Sequence, residues 1–78
     1  MRTQDVASLV YRAVSEFEGA YASPRVCDEM RDRFIELARA ELHVDLTRFR
    51  KKIRITFTAG GLVDIKIPPK ALTYPALH

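Results

Sequence analysis

One cysteine, two histidines and no tryptophan stand among the 78 residues, and each scarcity excludes something. A lone thiol can form no internal disulfide and gives no reason to invoke an oxidising compartment. Cysteine and histidine together are too few for a zinc site. No apolar run approaches the ~20 residues that span a bilayer. The opening Met1-Arg2-Thr3-Gln4-Asp5 lacks the apolar stretch and cleavage site of a signal peptide. A soluble cytoplasmic protein with no membrane role is therefore expected. Low-complexity segments and internal repeats are also missing.

What is present fits one folded domain spanning residues 1–78. Apolar residues make up 47% and charged residues 29%, the balance of a globular chain rather than a disordered one. The length lies near the lower limit at which a single core suffices.

Charge changes sign along the chain. Residues 1–47 carry six Arg against nine Asp and Glu. Residues 48–78 carry seven Lys and Arg against the single acid Asp64. Five of those seven crowd into one segment, namely Arg48, Arg50, Lys51, Lys52 and Arg54. Such asymmetry points to an electrostatic partner, or to the basic end of one copy meeting an acidic helix of another.

Apolar periodicity predicts two helices. Val6, Leu9, Val10, Ala13, Val14 and Phe17 form one stripe at helical spacing, with Thr3 as the N-cap and Gly19 as the C-terminal stop. The first helix is expected over about residues 4–18. Ser23-Pro24 signals a second start, a capping hydroxyl followed by proline at the first helical position. Cys27, Met30, Phe34, Leu37 and Ala38, widened by Ile35 and Leu42, carry that helix over about residues 24–42. Asp28–Arg31, Glu29–Arg33 and Glu36–Arg39 are spaced as ion pairs on its surface. The short connection favours an antiparallel helix pair. From His43 to Lys52 two readings stay open: a loop, or a short turn capped by Asp45 and carrying Leu46 and Phe49.

The period then changes from 3.6 to 2. Ile53, Ile55 and Phe57 alternate with polar residues, and past Ala59-Gly60-Gly61 so do Val63, Ile65 and Ile67, which predicts a β-hairpin over about 53–58 and 62–67. A two-residue loop would set Phe57 against Asp64 and Ile55 against Lys66, breaking the apolar face. A three-residue loop pairs Phe57 with Val63, Ile55 with Ile65 and Ile53 with Ile67. It places Gly61 at the left-handed bulge position and Arg54 opposite Lys66, a like-charge pair. Pro68-Pro69 ends the second strand. The tail that follows, with Leu72, Tyr74 and Leu77, is apolar enough to dock on something. The expected fold is α+β: an antiparallel helix pair packed on a C-terminal β-hairpin, with an apolar tail.

Chemistry is harder to find. Cys27 and His43 are the nucleophile–base candidates, but sixteen residues of helix would hold them ~24 Å apart; Cys27 on an apolar stripe is read as core. Asp28, Asp32 and Glu36 form an acidic row, read as a solvated face neutralised by Arg31, Arg33 and Arg39 rather than a cation site. Gly60-Gly61 joins two strands, whereas phosphate-binding loops lead into a helix. No catalytic residue, cofactor, metal or small-molecule substrate is assigned. The order helix, helix, basic turn, hairpin resembles a winged helix-turn-helix, but the second helix is too long and no strand separates the first two helices. The expected function is non-enzymatic, exercised through protein–protein interaction as a homo-oligomer or a subunit of a larger assembly. A chain of this size and kind would suit a small accessory or virion component of a phage. The expected partner-binding residues are Arg48, Arg50, Lys51, Lys52, Arg54, Lys66, Leu72, Tyr74 and Leu77. The alternative is a nucleic-acid-binding module using the basic segment and the hairpin, with Phe49 read equally as a base-stacking aromatic or as core.

Overall fold

Ser23 and Pro24 start the helix around which the other elements are arranged. In the computed structural model, which describes residues 2–60 and 62–74, the Ser23 hydroxyl accepts the Val26 N–H at 3.2 Å and Pro24 occupies the first helical position. This helix, α2, runs Pro24–Leu42 and follows α1, Thr3–Ser15. It stops at His43, whose φ of 56° is left-handed; the N–H groups of His43 and Val44 both bond the Ala38 carbonyl there, the latter at 3.2 Å. A 3-10 turn at Thr47–Phe49, strands β1 (Arg54–Phe57) and β2 (Val63–Lys66), and a short α3 (Pro69–Leu72) complete the chain.

α2 is the middle layer, with α1 against one flank and β1 against the other. Its buried positions Met30, Phe34, Ile35, Leu37 and Ala38 recur at helical spacing and serve both neighbours. Leu9 and Ala13 of α1 are sealed against it, while Val6, Val10, Val14 and Phe17 of the same stripe pack on the core partly covered. The expected α+β architecture, an antiparallel helix pair on a hairpin, is the one observed.

Two boundaries differ from expectation. Thr3 is not the N-cap of α1. The N–H groups of Asp5 and Val6 both reach the Arg2 carbonyl, so winding begins one residue earlier and Arg2 takes the cap position without a side-chain bond. At the other end regular winding stops at Ser15 rather than residue 18. There Phe17 bonds Val14 and Glu18 bonds Ser15 in tighter i to i−3 fashion, and Gly19 at φ 86° turns the chain away.

The hairpin has the expected register: Arg54 opposite Lys66, Ile55 opposite Ile65, Thr56 opposite Asp64 and Phe57 opposite Val63. The Thr58 N–H donates to the Leu62 carbonyl at 2.7 Å, closing a three-residue loop. The Leu62 N–H returns to the Thr58 hydroxyl at 3.1 Å. Gly61, and with it the bulge assignment, lies outside the described residues, as does Leu77.

The segment left open between loop and turn holds a 3-10 turn at Thr47–Phe49, whose cap position is taken by Leu46 and not by the expected Asp45. Asp45 accepts from both the Thr47 N–H and its hydroxyl, at 3.0 and 2.6 Å, and these bonds hold its carboxyl below the usual aspartate range. Leu46 is fully buried and Phe49 nearly so. The described part of the apolar tail docks within the chain, as α3 and Tyr74. Ala71 is buried, and the Tyr74 ring meets Phe49 edge-on at 5.2 Å.

Candidate functional site

The acidic half of the chain is largely neutralised where it stands. Arg12 pairs with Glu41 and Arg33 with Glu16, so each ion pair ties α1 to α2. Arg33 also holds Glu36, Arg31 holds Asp28 and Asp32, and Arg25 holds Glu29. Two expected pairings are thereby redirected, because Arg33 reaches across to α1 instead of back to Glu29, and Glu36 takes Arg33 in place of Arg39. The hydrogen bond from Arg33 draws the Glu16 carboxyl below its ordinary value.

The acidic row also meets the basic segment inside one chain. Arg50 grips Asp32 with two parallel bonds, Nε to Oδ1 at 2.9 Å and Nη2 to Oδ2 at 3.0 Å, the fork geometry that guanidinium and carboxylate share. Those bonds, more than the added contact with Arg31, hold the Asp32 carboxyl below the usual aspartate range, against the upward push of partial burial.

Arg48 is likewise committed within the chain. Its Nη1 donates to the Tyr74 hydroxyl at 2.7 Å, and its guanidinium lies 5.3 Å from the Tyr74 ring centroid and 5.7 Å from that of Phe49. Phe49 is buried beneath this stack, so it presents no face to a nucleobase. Tyr74 has an intramolecular seat. Leu72 is half-buried in α3.

Four of the expected site residues make no ion pair or side-chain hydrogen bond among the described residues: Lys51, Lys52, Arg54 and Lys66. All four are exposed. Arg54 and Lys66 face each other across the hairpin, and like charges directly opposed in a sheet destabilise it unless an anion lies near.

The two strands offer edges of different character. Because Thr58 and Leu62 form a hydrogen-bonded pair, alternation directs the backbone groups of Thr56, Arg54, Asp64 and Lys66 into the hairpin. Those of Ile55 and Phe57 point to the outer edge of β1, and those of Val63, Ile65 and Ile67 to the outer edge of β2. The β1 edge is recessed: Ile53 is 0% and Ile55 2% exposed. Beside it a cleft of about 730 Å³ is lined by Cys27, Asp28 and Arg31 of α2 and by Lys51, Arg54 and Phe57. On β2, by contrast, Val63, Ile65 and Ile67 are all only half-buried, and Leu62 just before them is 72% exposed.

Cys27 lines that cleft half-buried, packed against the core but not sealed inside it. His43 sits at the opposite end of the same unbroken helix, ~24 Å away at 1.5 Å per residue. Within one chain the two cannot act together. Among the described residues no three His, Cys, Asp or Glu side chains converge to hold a metal ion, and no helix is long and apolar enough to cross a membrane. No protein-family model, curated protein or solved structure matches this chain.

Sequence reasoning located the free cations and the hairpin, but missed the Arg50–Asp32 clamp and the Arg48–Tyr74 stack. Each joins residues far apart in the chain, and no local spacing announces either.

Proposed function

We propose that this chain is a non-enzymatic protein that works by assembly, as a homo-oligomer or a subunit of a larger complex, with the open edge of the hairpin as its principal contact. The observation that carries this reading is the outer edge of β2. It offers outward backbone donors and acceptors at Val63, Ile65 and Ile67, flanked by half-covered apolar side chains. A two-stranded sheet is marginal by itself, and an open apolar edge is a template for another strand. Light scattering across a dilution series tests the reading. We expect a mass that is a multiple of 8.9 kDa at tens of micromolar, retained in 1 M NaCl because apolar burial is not screened. A monomer at every concentration, with no partner protein protecting the β2 edge, contradicts it.

A second reading has one observation in its favour, Lys51, Lys52, Arg54 and Lys66, which are exposed and have no ion-pair partner among the described residues. Binding of nucleic acid through these four would fall with salt at a slope of about −0.9 per phosphate neutralised on duplex DNA. Replacing Lys51 and Lys52 with Ala would lower the slope by about two. Loss of Phe49 to the core and of Arg48 and Arg50 to internal partners weakens this alternative. Absence of binding to duplex or single-stranded DNA or RNA at ~50 mM salt eliminates it.

A further inference from the structure

From the register and charges of β2 we infer that a second copy of this chain pairs with it antiparallel, about a two-fold axis through Ile65, making one continuous four-stranded sheet. This inference rests on the assembly reading above and specifies its geometry.

The backbone sets the first constraint. Outward-pointing groups on β2 belong to the odd-numbered residues Val63, Ile65 and Ile67, so a second β2 can bond only with odd facing odd. The same parity keeps the apolar side chains of both copies on one face. A two-fold arrangement makes the interface self-complementary, and the allowed registers differ only in which residue sits on the axis.

Charge selects among them. With Asp64 on the axis, two like carboxylates oppose each other. With Lys66 on the axis, two ammonium groups do. With Val63 on the axis the overlap runs into the turn, and with Ile67 it runs into Pro68 and Pro69. Ile65 on the axis sets Asp64 opposite the second copy's Lys66, and Lys66 opposite its Asp64, so opposite charges face each other twice. Val63 then faces Ile67 in both directions, and Ile65 faces its own counterpart. The exposed Leu62 comes opposite the second copy's Pro68.

This register also brings an acid to the basic pair of the hairpin. Arg54 and Lys66 oppose each other in the hairpin without an anionic partner among the described residues. In the paired sheet the second copy's Asp64 lies on the far side of Lys66, in the same row as Arg54. α2 packs chiefly on β1, and Val63, Ile65 and Ile67 rest on the core only partly covered, which leaves the remainder of their apolar face for the seam between the two copies.

The test uses the full chain. Asp64→Lys and Lys66→Asp should each weaken self-association about tenfold or more, since each turns two attractive pairs into two repulsive ones. An equimolar mixture of the two variants should restore a heterodimer at wild-type affinity. In a Cys27→Ser background, Ile65→Cys should cross-link to its own counterpart under mild oxidation, because hydrogen-bonded strand pairs hold Cα atoms ~5.5 Å apart, within disulfide reach. An oligomer that neither charge variant weakens, and that Cys at 65 does not cross-link, overturns this register while leaving assembly standing. A wild-type monomer at all concentrations overturns the register and self-assembly together.

Discussion

Ile55 and Ile65 oppose each other across the hairpin, carry the same side chain and share its apolar face. Yet Ile55 is 2% exposed, and Ile65 is only half-buried. The difference comes from how each strand is tethered. β1 emerges directly from the buried turn of Leu46 and Phe49, where the Ile53 N–H bonds the Phe49 carbonyl at 3.0 Å, and so it is laid onto α2. β2 arrives by way of the solvent loop, pairs with β1 and rests on the core only partly covered. Alternation therefore specifies which face of a strand is apolar, whereas the connection decides how much of that face the chain itself can cover.

The largest expected effect tests this contrast. Ile55→Ala should cost about 2–5 kcal/mol, the range for emptying a sealed core position. Ile65→Ala should cost about 1 kcal/mol when measured by urea unfolding at low micromolar concentration, where self-association is dilute. Equal losses would break the comparison, because they would mean that β2 is as deeply embedded as β1.

Smaller effects sharpen it. Ser23→Ala removes the cap of the helix on which β1 rests and should cost about 1 kcal/mol. Its effect on the affinity of the proposed dimer should be much smaller, since α2 packs chiefly on β1.

The Arg50–Asp32 clamp comes next. Asp32 is 40% exposed, so Asp32→Asn should cost only about 0.5 kcal/mol near neutral pH. The pH dependence carries a definite sign. With its folded pKa depressed, Asp32 binds a proton less readily in the folded state than in the unfolded one. Its contribution is thus present above about pH 4 and lost as pH falls through the lowered value. Acid titration of stability should show a shallower loss in Asp32→Asn than in the wild type; identical acid limbs would mean the clamp does not form in solution. Smallest of all, Lys51→Ala and Lys52→Ala should each change stability by less than about 0.5 kcal/mol, as exposed side chains without partners among the described residues.

Much of this architecture was legible in the sequence, for identifiable reasons. Ser23-Pro24 is a local stereochemical signal, so the start of α2 could be read directly. The hairpin register followed from parity, because only an odd loop keeps Phe57, Ile55, Val63 and Ile65 on one face. The winding of α1 one residue early onto Arg2 escaped, since the Arg2 carbonyl competes for the role that Thr3 was given. α3 escaped because Pro68-Pro69 reads equally as a stop and as the start of a new turn. The fates of Arg48 and Arg50 were hidden for a different reason. A run of five cations looks uniform, yet the fold sends Arg50 to Asp32 and Arg48 to Tyr74 and leaves Lys51, Lys52 and Arg54 outside. Which strand α2 would cover was likewise invisible, because the two apolar alternations are alike.

Amide hydrogen exchange along β2 tests the open edge most directly, residue by residue and as a function of concentration. In dilute protein the Asp64 and Lys66 amides, turned into the hairpin, should exchange slowly, while those of Val63, Ile65 and Ile67 should exchange rapidly. Raising the concentration should protect the three odd-numbered amides and leave the β1 amides unchanged. Protection of Ile65 that is already complete in dilute monomer, or that never develops as concentration rises, would contradict the assignment of β2 as the edge through which this protein assembles.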